Sequence, residues 1–330
     1  MANLTLRLDL RAPGFGTPKE SLYAAGLEMA EWADRQGFAE CMLSEHHGSE
    51  DGYLPSPLLY GAAVAARSRR MRVQVSALVL PLHDPLRIAE DVAVLDNLSG
   101  GRVELVIAGG FLPSEFEMFG RSRGERGALI EEGIETLKRA WTGEPFDYRG
   151  RRARVRPTPV QRPHPPLLLG GSTKASARRA ARIADGYVPA VPELYVLYAA
   201  ECERLGKPAA PPRTVGSFSL FVAEDPDALW TKIAPHALHE SRSYARWYVE
   251  GAASGPYQDF ESADALRASQ LYQVLTPDEC VGLAEQMGPE VWLYLHPLVG
   301  GLDPAVGWES LELLASKVLP RLETQSEAGS

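Results

Sequence analysis

The chain has 330 residues, 45% hydrophobic and 23% charged, a length that suits two domains or one large α/β barrel. Its 43 acidic residues outnumber 34 basic ones, for a net charge of −9; this argues against a nucleic-acid partner, which needs a concentrated positive field. No run approaches the roughly 18 apolar residues of a membrane span, and the opening MANLTLRLDLRAPGFG carries charges where a secretion signal is apolar. Cys41, Cys202 and Cys280 form no CxxC pair, so a cytoplasmic protein with reduced thiols is expected.

In chain order, apolar runs at 4–10, 39–43, 73–80, 103–108, 166–170, 186–190, 217–222 and 291–296 are predicted strands. Most are near-continuous, as in parallel strands buried on both faces. Asp84-Pro85 opens a helix as N-cap and first-turn proline, and Ile88, Val92 and Leu95 share its inner face. Ile130, Ile134, Leu137 and Trp141 mark another helix. Trp308, Leu311, Leu314 and Val318 mark a last one, which Pro320 is predicted to end. Eight strand–helix alternations predict one α/β domain over 1–322, a (β/α)8 barrel, with a flexible polar tail at 323–330.

Two segments exceed a minimal barrel. Residues 143–166 include Phe146-Asp147-Tyr148-Arg149-Gly150-Arg151, read as a hairpin inserted after the fourth helix, with the basic stretch at 149–156 as a solvated face. Residues 224–272, before the last barrel unit, hold Trp230, Tyr244, Trp247, Tyr248, Tyr257, Phe260 and Tyr272. They are read either as an extra helical layer or as a lid over the barrel mouth, where active sites are built.

Three constellations could carry chemistry. SEHHGSED, at 44–51, follows the second strand and so falls on the C-terminal rim. Adjacent histidines on a loop rarely converge on one metal ion, and no HExxH or CxxC accompanies them, so no metal is assigned. An imidazole beside Glu45 suits proton handling near neutral pH, and polar packing is the bland alternative. In PLLLGGSTKASARR a strand runs through Gly170, Gly171, Ser172 and Thr173 into a helix; small residues at a helix N-terminus suit an anion, although a plain N-cap explains the hydroxyls equally well. In VSALVLPLHDP, His83 near the N-cap is read as structural.

These segments, SEHHGSEDGYLPSP, ALVLPLHDPLRIAEDVAVLDNLSGGRVELVIAGG, FEMFG and the GGST turn, resemble the bacterial luciferase-like flavin-dependent oxidoreductases over about 4–190 and, more loosely, 291–319. The resemblance implies a barrel, often dimeric, that binds reduced FMN supplied by a separate reductase and uses O2 to oxidise a small carbonyl or similar substrate. It implies His46 as the catalytic histidine, with His47 and Glu45 beside it and Glu45 fixing the loop or tuning the imidazole. It implies a cis peptide at Ser76-Ala77 beneath the flavin ring, and phosphate contacts at Gly171, Ser172, Thr173 and Arg126. Two positions depart from the family pattern: Gly109-Gly110 stand where an arginine often meets the phosphate, and Ala108 replaces a reactive cysteine. The deazaflavin F420, with hydride transfer, is the alternative cofactor, and a flavin-binding protein without turnover is a second alternative.

Overall fold

The computed structural model describes residues 2–322, so the tail at 323–330 lies outside the described residues. Eight parallel strands form the sheet: β1 (Asn3–Leu8), β2 (Glu40–Leu43), β3 (Arg72–Val79), β4 (Val103–Ala108), β5 (Leu167–Gly171), β6 (Gly186–Pro189), β7 (Thr214–Val222) and β8 (Val291–Leu295). Sequence neighbours pair from β1 to β6, and β8 lies between β7 and β1. That cyclic order is the (β/α)8 barrel the strand–helix alternation predicts. A ninth strand, Gln273–Leu275, which the sequence reading lacked, adds to the other edge of β7.

The principal helices are α1 (Lys19–Arg35), α2 (Pro57–Arg67), α3 (Pro85–Ser99), α4 (Arg126–Trp141), α5 (Lys174–Ile183), α6 (Glu193–Arg204), α7 (Pro226–Gly251), α8 (Pro277–Met287) and α9 (Pro304–Leu313). Asp84 caps α3 by accepting from the Leu86 and Arg87 N–H groups at 2.9 and 3.3 Å. Ile130, Ile134, Leu137 and Trp141 all bury their side chains from α4. Phe146–Tyr148 and Arg151–Ala153 pair as an antiparallel hairpin. The expected stop at Pro320 is corrected: the chain stays helical through Leu322, after a π-turn at Leu314–Val318. Proline lacks the N–H that an α-helical ladder needs, and a π-turn next to it loosens that ladder locally. Among the described residues no helix is long and apolar enough to cross a membrane.

The barrel interior is unusual for its charge. On β1 and just beyond it, Leu4, Leu6, Leu8 and Leu10 join the core under the outer helices. The alternate residues, Thr5, Arg7, Asp9 and Arg11, point inward and are buried. At the base, Arg213 bridges Glu40 at 2.7 Å and Glu104 at 2.8 Å. Thr5 donates to Glu40 at 3.1 Å, Gln74 to Glu104 at 2.6 Å, and the Arg213 guanidinium lies 4.0 Å over the Trp292 ring. Each acid therefore has hydrogen-bonded partners, yet burial still outweighs Arg213 and Thr5 at Glu40 and pushes its carboxyl up.

The opposite side of the interior is not filled. Leu168, Gly170 and Val188 share the face turned away from buried Leu167 and Leu169. Val188 keeps 38% of its surface exposed and Phe218, on β7, keeps 37%. A barrel interior is ordinarily packed solid by layers of side chains. Apolar side chains left exposed there line a chamber.

Candidate active site

The loop after β2 delivers His46 to the rim. Its Nδ1 lies 2.9 Å from Oε1 of Glu115, on a short helix (Pro113–Met118) after β4, and the same oxygen accepts the His47 N–H at 2.9 Å. A carboxylate that only accepts would pair with an Nδ1 that carries the ring proton. Nε2 has no hydrogen-bond partner among the described residues. Aromatic rings surround the imidazole, with centroid distances of 4.4 Å to Trp247, 4.9 Å to Tyr53, 5.6 Å to Tyr244 and 6.0 Å to Phe111.

Glu45 faces elsewhere. Its Oε1 meets His47 Nε2 at 2.7 Å and His83 Nε2 at 2.5 Å, and its Oε2 accepts the Val79 N–H at 2.6 Å. Burial alone would push this carboxyl up; the hydrogen bonds from His47 and His83, the His83 charge and the Val79 N–H outweigh it and bring the pKa down to about 2. His83, read as structural from sequence, thus joins His47 on one carboxylate. The three atoms converge, with the carboxylate oxygen at hydrogen-bond distance from both imidazoles. Ligands of one tetrahedral zinc ion stand roughly 3.4 Å apart, given metal–ligand bonds of about 2.1 Å.

The insertion at 224–272 contributes more than bulk. Helix α7 supplies Tyr244 and Trp247 to the walls around His46 and ties itself to the loop through His239, whose Nε2 meets Asp51 at 2.8 Å. Asp51 also pairs with Arg11 at 2.7 Å. Burial opposes its ionisation, but the His239 hydrogen bond and the Arg11 charge hold the carboxyl well below its usual range. The Arg11 guanidinium lies 4.7 Å from Tyr53, 4.7 Å from Trp247 and 5.1 Å from Tyr244. Deeper, Glu240 receives Arg7 at 2.7 Å and the Tyr272 hydroxyl at 2.6 Å. At the far end of α7, Arg123 Nη1 donates to the Phe111 carbonyl at 2.9 Å and the Gly251 carbonyl at 3.1 Å.

The remaining sequence-derived residues lie on β3, just after β4, at the end of β5 and its following turn, and at the start of α4. Ser76-Ala77 is a cis peptide, as the resemblance implied, and the β3–β4 ladder shifts register there. The β4–β5 register pairs Ile107 with Leu169, two residues before Gly109 and Gly171 along each chain segment. A Cβ on Gly171 would come within 2.3 Å of Ser176 Oγ, so glycine permits this close approach of strand and helix. Thr173 Oγ1 accepts the Ser176 N–H at 3.1 Å in a capping box, and Ser172 and Thr173 are both exposed. The Arg126 stem lies 3.6 Å from where a Gly109 Cβ would stand. The guanidinium makes one long hydrogen bond, 3.5 Å to the Arg123 carbonyl. A glycine turn, an exposed helix start and a lightly engaged arginine suit a phosphate monoester.

Sequence reasoning missed Glu115, Asp51, Arg11, Arg123 and His239. The alternation LTLRLDLR was a usable signal for the inward charges. Glu115 pairs with a histidine 69 positions away, a separation no local pattern reveals.

An open chamber at the C-terminal end of the strands, with an anion turn and an imidazole held by a carboxylate, is a small-molecule site of the α/β-barrel kind. The family model described as luciferase-like monooxygenase matches residues 10–284, and the chain belongs to that family. It is 40% identical over 164 residues to the uncharacterized protein y4wF of Sinorhizobium fredii, covering 48% of each chain. It is 28% identical over 172 residues to the FMNH2-dependent dimethylsulfone monooxygenase of Pseudomonas putida, covering 48% of this chain and 47% of that one. The chain thus spans about half the length of these curated relatives. The crystal structure of the monooxygenase RslO1 from Streptomyces bottropensis superposes with a TM-score of 0.80 at 27% identity, covering 97% of this chain and 99% of that one.

Proposed function

We propose that this chain is the oxygenase of a two-component monooxygenase, taking reduced FMN from a separate flavin reductase and using O2 to oxidise a small carbonyl or similar organic substrate. The observation that carries the reading is His46: its Nδ1 is held by Glu115, and its Nε2, at the rim of an apolar chamber, lacks a partner among the described residues. Reduced FMN, when bound, supplies the electrons that activate O2. The chain's own residues do the rest. Gly170, Gly171, Ser172 and Thr173, with Arg126, hold the phosphate, and Arg126 supplies the positive charge that Gly109 lacks. Ser76, Ala77 and Gly109 offer small surfaces against which a planar ring lies.

His46 Nε2 holds or returns a proton at the reacting edge. His47 and Glu45 brace that loop through His83 and the Val79 N–H. Helix α7 acts as the lid: its aromatic side chains exclude water from the reacting atoms, which suppresses wasteful loss of the oxidant. The same reading makes the protein a cytoplasmic homodimer. Leu59 on α2 and Val94 and Leu98 on neighbouring α3 are 77%, 54% and 50% exposed, and apolar surface on adjacent helices suits a self-complementary contact.

The test is a spectroscopic titration of the purified protein with FMN, reduced FMN and F420. Reduced FMN should bind tightest. Preferential binding of F420 would overturn the FMN reading in favour of hydride transfer, and absence of binding to all three would end it.

A further inference from the structure

We infer that Glu115 is the positioning residue of His46, confining the ring proton to Nδ1 so that Nε2 alone exchanges protons with the bound reactants; the inference rests on the role given to His46 above. A free histidine side chain favours the tautomer protonated at Nε2, which would present a donor where a base is needed. The Glu115 carboxylate reverses that preference by accepting Nδ1–H at 2.9 Å. Its side chain is 1% exposed, so solvent does not compete for the proton. The same oxygen accepts the His47 N–H, which fixes the carboxylate to the loop backbone as well as to the ring. The helix that bears it is anchored in turn, since Ser114 N–H donates to Glu250 at the end of α7.

No other residue takes this role among the described groups. Glu45 already spends one oxygen on two imidazoles and the other on the Val79 N–H. The rings that face His46 come from its own loop (Tyr53), from the loop after β4 (Phe111) and from α7 (Tyr244 and Trp247). Arg11 lies against Tyr53, Tyr244 and Trp247 and is held by Asp51. Glu115 is therefore the charged group in direct contact with the imidazole. When Nε2 takes a proton, the resulting imidazolium keeps its Nδ1–H on Glu115, and the proton returns from Nε2 without the ring turning.

The experiment is side-chain 1H–15N NMR of the labelled, flavin-free full chain, with His46 assigned by its loss in His46→Ala. The wild type should show Nδ1 protonated and Nε2 bare, and Glu115→Ala should move the proton to Nε2. A wild-type ring protonated at Nε2, or an alanine variant that keeps Nδ1–H, overturns the inference. Glu115→Gln preserves shape and one acceptor, and keeps the test decisive should the alanine variant unfold. It should retain the tautomer and bind reduced FMN within about twofold of wild type, but slow O2-driven oxidation of bound reduced FMN about tenfold, the scale of losing the charge from one hydrogen bond. A glutamine variant whose ring loses Nδ1–H overturns the inference as well. The parent reading fails separately: His46→Ala with an undiminished oxidation rate removes His46 from the chemistry, while the tautomer measurement still decides what Glu115 does to the ring.

Discussion

His46 and Glu45 are neighbours in sequence with different tasks. His46 turns into the mouth, and its replacement by alanine should leave reduced-FMN affinity nearly unchanged while lowering turnover about a hundredfold, the ordinary scale for a lost general acid or base. Stopped-flow mixing of the reduced complex with O2 and a panel of ketones and aldehydes measures this; equal product yields from both proteins would remove His46 from the mechanism. Glu45 turns away and braces the loop, and its effect is read in stability. Its folded pKa of about 2 lies below the ordinary 4.5, so the unfolded chain binds the extra proton as pH falls between those values. The stabilisation is fully present above about pH 4.5 and is lost as pH drops toward 2. Urea unfolding of wild type and Glu45→Gln should show a gap of roughly 3 kcal/mol at neutral pH that closes through that window. A gap independent of pH would mean that Glu45 acts by packing alone.

At the scale of elements, what was legible depended on how local the signal was. The strands were plain in sequence because each is a short apolar run, and the observed bounds differ from the predicted ones by a residue or two at most ends, and by three at the start of β7. The insertion was visible as an aromatic cluster, but its effect was not, because Tyr244 and Trp247 meet His46 only once a helix of 26 residues is laid across the rim. The GGST turn was legible as a strand-to-helix junction. Arg126, proposed to share the phosphate with that turn, came from the family resemblance, since arginine at a helix start has no signature of its own. Removing that charge with Arg126→Ala should weaken FMN binding by about tenfold to a hundredfold, from roughly 1.5–3 kcal/mol of charge-assisted hydrogen bonding; unchanged affinity in a fluorescence titration would move the phosphate elsewhere. Arg123 is a different case, a clasp between the Phe111 loop and the end of α7. Arg123→Ala should speed amide hydrogen exchange over 245–252 and raise the fraction of reduced FMN oxidised without product. Exchange as slow as in wild type would show that the aromatic contacts hold the lid unaided.

For the whole molecule, the exposed leucines and valine on α2 and α3 bear on assembly. The native protein should sediment as a dimer, and Leu59→Glu combined with Val94→Glu should shift it to the monomer mass, since a charge forced into an apolar contact is costly to desolvate. A dimer that survives both substitutions would place the contact on another face.

The charged layer at the base of the barrel bears on how this molecule tolerates change. Arg213, Glu40, Glu104, Gln74 and Thr5 knit the starts of β1 to β4 to the entry of β7, at the end of the barrel remote from the rim loops. The loop tips and the insertion at 224–272 therefore stand on a base that is tied off without them, while higher up Arg7 on β1 relies on Glu240 and Arg11 on Asp51. Rewriting 224–272 around a retained Glu240, which neutralises buried Arg7, should alter what the rim recognises while the base beneath stays shut, so substrate choice can be varied piecemeal on this scaffold.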